Sequence, residues 1–389
     1  MPYAGQINSP LPGYFDHNAG RPPRILQWNY SLQREITHGF VIETAYVGSR
    51  AAWYEADGLI NLNAISTATY KALGLDITNP TTEALLSSTF ASGKPQAAGF
   101  KLPYAGFPTT LTLAQALRPY PQFGTIAVHW APLGNEWYDA LQSKITKRYS
   151  HGLSAQGAFT WQKELSTADG GQTNDVFNRP NQKSLSPNSQ PFVLSIGFTY
   201  QTQPLPWART SFVNKALRDW TFGGVLRYAS GTPIPVPGAS NQLSAYTFQS
   251  TLENRVPGVP LFLHDLNCHC FDPSKTFVLN PAAWVNPANG VYGTSAPYYN
   301  DFRYERRPSE DLNLGRTFKL REKMTFQLRF EAFNVFNRTY MNNPSTGSPQ
   351  GTQTVNAVTG QTVSGFGMIS TGSVAGFPRH AQIVARFQW

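Results

Sequence analysis

The sequence predicts an all-β protein, an antiparallel transmembrane β-barrel with long extracellular loops, and three observations lead to this fold class. Only 14% of the 389 residues are charged and 13% are aromatic, whereas a typical soluble domain has about 25% charged residues. The 32 glycines and 30 prolines are too many for a helical bundle. Segments of nine to eleven residues alternate apolar and polar side chains, which is the pattern and the length of a tilted strand that crosses a bilayer.

The alternation is clear in the segment 152–162, where Leu153, Phe159 and Trp161 share one face and Gln156 lies on the other. The same pattern recurs in Phe192–Gln201, Trp220–Ala229 and Met324–Phe333. Soluble β-sandwiches alternate as well, but their strands usually have five or six residues. Trp and Tyr repeatedly stand near the segment ends, as in the aromatic girdles of membrane barrels.

About ten or eleven strands are expected, which would be part of a larger barrel. The predicted segments are 25–36, 40–49, 122–130, 136–149, 152–164, 191–202, 217–230, 311–320, 323–335 and 381–389, with a weaker one at 338–342. Long polar stretches at 51–118, 165–190, 231–308 and 341–375 separate some of them, and a short helix is expected at Thr81–Ser88. Short turns that alternate with long loops are typical of outer-membrane barrels.

Strand direction gives a further expectation, because successive strands of a barrel run alternately toward and away from the periplasm. If 338–342 belongs to an ascending strand, which runs away from the periplasm, then Asn334–Asn337 forms a periplasmic turn. The tight Arg321–Lys323 connection would then lie on the outer side, against the usual tendency for short periplasmic turns.

The last residues alternate in the same way as the internal segments. Every second side chain is apolar, namely Ala381, Ile383, Ala385, Phe387 and Trp389. This ending is similar to the signal by which the barrel assembly machinery recognises outer-membrane proteins. The alternative is an ordinary last strand that ends in Trp.

Charge and motifs exclude several function classes. The net charge of +9 is spread along the chain, which does not predict a nucleic-acid partner. No phosphate-binding loop and no defensible catalytic triad occur, so neither an enzymatic activity nor a cofactor is predicted. No run of about 18 apolar residues exists that would form a membrane helix. The N-terminal segment has neither the basic nor the apolar region of a signal peptide.

One cluster resembles a metal site, since His264, Cys268, His269 and Cys270 lie within seven residues. The C-x-C spacing is tighter than the two to four residues usual between zinc-binding cysteines. A disulfide in an oxidising exterior loop, either Cys268–Cys270 or one to another chain, is favoured. A metal site and the absence of any role stay open as alternatives.

Two adjoining segments resemble the penultimate strands of TonB-dependent outer-membrane receptors, most of all their Oar-like branch. They are DLNLGRTFKLREKM at 311–324 and QLRFEAFNVFN at 327–337. Further matches are WNYSLQR at 28–34, VIETAYVGSR at 41–50, WYDALQSKITKRYSHG at 137–152 and LNPAAW at 279–284. The most specific residues, besides the terminal strand, are Glu331, Phe333, Asn334, Phe336 and Asn337.

The resemblance implies a barrel of about 22 strands with a plugged lumen, which takes up a large, scarce solute with energy delivered by TonB. No plug domain, TonB box or regulatory-like domain is visible, so residues 1–389 are expected to be the C-terminal part of the barrel domain. TonB would act only through the missing plug. The expected partners in the Gram-negative outer membrane are its lipid and lipopolysaccharide, the assembly machinery and an unknown solute.

Two alternatives to a receptor fragment stay open. One is a complete small porin or adhesin-type barrel of about ten to twelve strands. The other is a soluble carbohydrate-binding β-sandwich whose exposed Trp and Tyr side chains stack on sugars.

Overall fold

Nine long strands form one antiparallel sheet in the computed structural model, which describes residues 12–167, 173–204, 212–322, 324–373 and 375–389. Each strand pairs with its neighbour in chain order, and the two-residue strand Ser184–Leu185 adds to β4. The strands are β1 Arg24–Thr37, β2 Phe40–Tyr54, β3 Gly134–Ser150, β4 Leu153–Ser166, β5 Phe192–Gln201, β6 Trp220–Ala229, β7 Ser309–Arg321, β8 Met324–Phe333 and β9 His380–Gln388.

Nine of the ten stronger predicted segments lie in this sheet, and the prediction for 122–130 is wrong. Only Ala127–His129 is a strand there, and it pairs in parallel with Gly13–Phe15 outside the large sheet. Trp130 adopts a left-handed backbone with φ of 58°, and Pro132 follows. Neither residue favours a continuing strand.

Short connections lie at one end of the sheet. Residues 38–39, 151–152 and 322–323 join β1 to β2, β3 to β4 and β7 to β8. Both residues of the His151–Gly152 turn have positive φ, 51° and 83°, as the tightest hairpins require. A side chain at Gly152 would also collide with the carbonyl of Gln201. The 202–219 connection, with the helix Phe212–Leu217, belongs to this end too.

The strand-direction expectation for 338–342 is wrong, because these residues form no strand. Asn334 and Asn337 adopt left-handed backbones with φ of 50° and 52°, and they turn the chain out of the sheet after β8. The end of β7 at Arg321 and the terminal residue Trp389 therefore lie at the same end of the sheet as the 38–39 and 151–152 turns.

The long connections 55–133, 167–191, 230–308 and 334–379 all lie at the opposite end of the sheet, and their described residues are called the loop cap below. The cap contains short helices, of which Pro80–Leu86 confirms the predicted helix. Asn79 caps it, since the Asn79 side chain accepts a hydrogen bond from the Thr81 N–H. The other cap helices are Thr67–Ala72, Lys94–Ala97, Leu113–Ala116 and Leu243–Thr247. The cap also contains three short antiparallel strand pairs. They join Pro233–Pro235 to Tyr298–Arg303, Asn254–Arg255 to Trp284–Val285, and Thr354–Val355 to Thr362–Ser364.

The buried apolar cores lie in the loop cap. One combines residues of the 55–133 loop with Leu243 and Tyr246, and the other combines residues of the 230–308 loop with Phe366 and Ile369. In the described part of the chain, no helix is long and apolar enough to span a membrane.

The large sheet has one apolar and one polar face, because cross-strand partners in an antiparallel sheet point to the same side. The register of all eight pairings keeps apolar side chains opposite one another across the sheet. Members of the apolar face include Tyr30, Tyr46, Leu141, Trp161, Leu194, Ile196, Leu226, Phe222, Leu314, Phe330 and Ile383. Members of the polar face include Gln33, Glu43, Lys144, Gln156, Thr199, Asn313, Gln327, Glu331 and Arg386.

Candidate functional site

The apolar face of the sheet is exposed. Tyr30, Leu32 and Ile383 are 75%, 69% and 72% exposed, and Phe330 is 46% exposed. A continuous apolar surface of this kind needs an apolar neighbour. A second sheet would supply it in the alternative, a soluble β-sandwich, but no other sheet formed by the described residues exceeds two strands. The sandwich alternative is therefore wrong, and lipid fits this face.

Two acidic groups on the apolar face are paired with arginines. Arg50 Nη2 lies 3.0 Å from an oxygen of Asp139, whose other oxygen accepts a 2.7 Å hydrogen bond from the Tyr46 hydroxyl. At the cap end, Arg338 Nε lies 2.9 Å from both oxygens of Glu310, which is fully buried. Pairing lowers the free energy needed to hold a charge against an apolar surface.

The opposite face is lined by polar and charged groups. Arg329 Nη2 lies 2.7 Å from Glu331 Oε1, and Gln382 on β9 donates a hydrogen bond to the second oxygen of Glu331. A depression of about 510 Å³ lies on β4 to β6, where Ser195 has a small side chain and Gly197 has none. Such a face contacts water or polar groups more favourably than it contacts lipid.

Hydrogen bonds between distant loops hold the cap together. Asn174 is 1% exposed, and its Nδ2 donates to the carbonyls of Gly293 and Ser295 at 2.9 Å. Its Oδ1 accepts from the Leu252 N–H at 3.1 Å and from the Thr251 hydroxyl. This one amide therefore joins the second long loop to the third.

A second contact joins the first long loop to the third. The Tyr70 hydroxyl is buried and donates to the Tyr246 carbonyl at 2.7 Å, and burial raises the pKa of Tyr70. The cap is a packed structure rather than a set of independent loops.

A polar cavity of about 750 Å³ lies between the first and third loops. Arg118 lines it, donates from Nε to the Asn63 carbonyl at 2.9 Å, and stacks 3.9 Å from the ring centre of Phe248. Burial lowers the pKa of Arg118 to about 10, so the guanidinium stays charged at neutral pH. Asp57 and Gln249 add polar groups to the wall. The cavity suits a polar solute.

Glu253 is a buried acid that the sequence did not single out. It is fully buried, and Gln350 Nε2 donates to its Oε2 at 3.1 Å. Burial raises the pKa of Glu253 to about 7, although the Gln350 hydrogen bond acts in the opposite direction. No local pattern marked it, because its burial results from packing between loops.

The Cys268 and Cys270 sulfur atoms are joined by a disulfide in the structure. His269, between them, has Nε2 3.2 Å from Glu305 Oε1, while His264 packs its ring against Phe271. The two histidines thus have separate neighbours. Among the described residues, no three His, Cys, Asp or Glu side chains are arranged to hold a metal ion.

All five motif residues have structural contacts near the end of β8, including Phe336, whose ring centre lies 5.7 Å from the Arg338 guanidinium carbon. Glu331 pairs with Arg329, and the Phe333 ring stacks on His380 of β9 with centres 4.7 Å apart. The Asn334 side chain accepts from the Arg338 N–H at 2.8 Å and donates to the Phe377 carbonyl at 3.1 Å. The Asn337 side chain accepts from the Arg379 N–H at 3.2 Å. Phe336 is 64% exposed. The two asparagines hold the chain that leaves β8 against the chain that enters β9.

The terminal strand forms one edge of the sheet. Its apolar residues Ala381, Ile383, Ala385 and Phe387 continue the apolar face of β8, and Trp389 stacks on Phe387 with ring centres 6.0 Å apart. In the described residues, neither β9 nor the opposite edge strand β1 has a second neighbour.

The model of one protein family, described as the outer membrane beta barrel domain, matches residues 3–382. No curated protein matches the sequence at a significant level.

Several solved outer-membrane proteins resemble the chain weakly. The pyoverdine receptor FpvA from Pseudomonas aeruginosa is 13% identical, with a TM-score of 0.37, and the match covers 94% of this chain and 30% of the receptor. The ferric-catecholate import receptor Fiu from E. coli is 9% identical, with a TM-score of 0.36 and coverage of 95% and 28%. The transporter YddB from Escherichia coli is 9% identical, with a TM-score of 0.38 and coverage of 94% and 32%. The chain spans about a third of the length of these proteins.

Proposed function

The chain belongs to the outer membrane β-barrel domain family, and from this premise we propose that it forms part of the barrel wall of a TonB-dependent receptor of the Oar-like branch. The protein lies in the Gram-negative outer membrane, with the tight turns on the periplasmic side and the loop cap outside. The receptor takes up a large solute when the barrel contains its plug.

The two-faced sheet is the observation that carries this proposal. Its apolar face presents Tyr30, Leu32 and Ile383 to the membrane, and its opposite face presents charged and amide side chains to the lumen. Among the described residues, β1 and β9 each pair on one side only, and these open edges support a larger barrel, because a closed barrel leaves no strand edge free. Further strands complete the wall at these edges.

Solute recognition is assigned to the loop cap and the polar face. The cavity beside Arg118 lies in the cap, where a solute arriving from outside meets the protein first. Rigid scaffolds that present loops are the usual arrangement of binding sites.

The first test combines molecular mass with conductance. An antibody against the Gly258–Asn280 loop is used to detect the native protein in outer-membrane fractions, and the purified protein is placed in planar bilayers. A band far above 43 kDa and a closed, non-conducting state are expected, because a plug fills the lumen. A conducting protein of 43 kDa would contradict the receptor and indicate a small porin, whereas a non-conducting one of that mass would indicate an adhesin.

The second test addresses TonB. Cells that lack TonB should lose the growth advantage that the intact receptor gives on complex nutrient mixtures. Equal growth with and without TonB would contradict active uptake.

We also propose that the terminal strand is the assembly signal. The substitution Trp389→Ala should lower the amount of folded, heat-modifiable protein in the outer membrane several-fold. The matched control is Gln388→Ala, which changes the polar face of the same strand. Equal yields for both variants would contradict the signal.

A further inference from the structure

A groove opens on the membrane side of the sheet, where β4, β5 and β6 meet the loop cap. It has a volume of about 450 Å³ and is called the outer groove here. Its floor consists of Phe159, Phe192, Leu194 and Tyr228. The cross-strand pairs of Phe159 with Leu194 and of Leu194 with Tyr228 place these side chains on the apolar, lipid-facing side.

The rim of the groove is basic. Arg306 and Arg338 line it together with His269 and Asn267, and no acidic residue lies in the lining. The acids that accompany these bases lie beneath them. Glu310, the partner of Arg338, is fully buried, and Glu305, the partner of His269, is 6% exposed. The groove therefore presents positive groups outward.

Arg306 has hydrogen-bonding capacity to spare. It is exposed, and its Nε donates to Asn267 Oδ1 at 3.1 Å. Within the described part of the chain, its two terminal NH2 groups make no hydrogen bond. Hydrogen bonds from Asn267 lower the pKa of the Asp265 carboxyl, and Arg306 adds to this effect, since both Asp265 and Arg306 line a neighbouring cavity. Arg306 can therefore bind an external anion with two donors at once.

We infer that the outer groove binds one phosphorylated, acylated lipid of the outer leaflet. The acyl chains lie on Phe159, Phe192 and Leu194, and a headgroup phosphate contacts Arg306, with Arg338 and His269 beside it. Two features select this class of ligand: the floor is continuous with the lipid-facing surface, and the positive rim lies at the cap end, where headgroups are found. The inference depends on the membrane position of the sheet and not on solute uptake, so the two can fail separately.

The test uses the intact protein purified from outer membranes in a zwitterionic detergent. Its affinity is measured for three probes, namely bisphosphorylated lipid A, lipid A with both phosphates removed, and inorganic phosphate alone. We expect bisphosphorylated lipid A to bind at least about tenfold more tightly than either other probe, because charge-assisted hydrogen bonds are lost without phosphate and apolar contact is lost without acyl chains. Equal binding of the dephosphorylated lipid, or of inorganic phosphate, would overturn the inference.

The substitution Arg306→Gln locates the site. It should weaken binding of bisphosphorylated lipid A by about tenfold and leave the affinity for dephosphorylated lipid A unchanged. Arg307→Gln is the matched control, since Arg307 is a neighbouring exposed arginine outside the groove whose guanidinium donates to the Asn343 side-chain oxygen. Equal effects of the two substitutions would show only a general attraction of anions to basic residues, and would refute specific binding in the outer groove. The comparison of lipids on the unaltered protein decides the matter even if a variant folds poorly.

Discussion

The large sheet and the loop cap shield their apolar side chains from water in different ways. The sheet leaves Tyr30, Leu32 and Ile383 largely exposed and depends on lipid to cover them. The cap buries residues such as Leu279 and Phe302 completely and depends on its own packing. The difference indicates that the sheet is stable only in a membrane, whereas the cap is held by ordinary core contacts and buried hydrogen bonds.

The largest effect is expected from a substitution that destabilises the loop cap and leaves the sheet intact. Phe302 lies in the second core and contacts Trp284, with ring centres 5.3 Å apart. Phe302→Ala should destabilise the cap by about 3–5 kcal/mol, the usual cost of removing a buried aromatic ring. Limited proteolysis of the membrane-inserted protein should then cut the 230–308 loop. Release of the whole sheet from the membrane would contradict the separation of the two regions.

The next largest effect is expected from a substitution that destabilises the sheet and leaves the cap intact. Leu328→Arg places a charge on the apolar face near the middle of β8 and should cost about 2–4 kcal/mol at the bilayer midplane. Gln327→Glu, which adds a charge on the adjacent polar-face position opposite Arg386 of β9, is the control and should be nearly neutral. The measurement is the urea midpoint of the protein folded in lipid vesicles. Equal midpoints for the two variants would mean that β8 does not face lipid.

A smaller effect tests the hydrogen bonds inside the cap. Asn174→Ala removes the partner of the Gly293 and Ser295 carbonyls and of the Leu252 N–H. Buried groups left without partners should cost about 1–3 kcal/mol, seen as faster hydrogen exchange across the second and third long loops. The exposed Asn188→Ala serves as the control. Unchanged exchange in the Asn174 variant would refute its linking role.

The smallest effect concerns pH. Because the folded pKa of Glu253 is raised to about 7 from an ordinary value near 4.5, folding favours its protonated form. The contribution to stability is complete below pH 4.5 and declines as the pH rises through 7. The cap should lose about 1 kcal/mol between pH 6 and pH 7, measured by hydrogen exchange. Glu253→Gln should flatten this dependence, and a wild-type cap that gains stability with rising pH would contradict the sign.

Local patterns predicted much of the sheet. Alternation along the segments at 152–164 and 323–335 predicted β4 and β8, because side-chain direction in a strand repeats every two residues. The same rule failed at 122–130, where the backbones of Trp130 and Pro132 end the strand. It failed at 338–342 as well, because the left-handed backbones of Asn334 and Asn337 turn the chain away. A short weak pattern does not outweigh turn residues.

The sequence by itself determined the β class, the apolar and polar faces and the alternation of short turns with long loops, since all three depend on neighbouring residues. Only the tertiary structure decided which loops pack together and which polar groups are buried. Asn174 and Gly293 are 119 residues apart, and no local spacing relates them. Likewise, the groove at Arg306 exists only because the 230–308 loop folds back over β4, β5 and β6. Such contacts form when the favourable free energy of burial exceeds the free-energy cost of the entropy lost by closing long loops. That balance depends on the whole fold and not on a local segment.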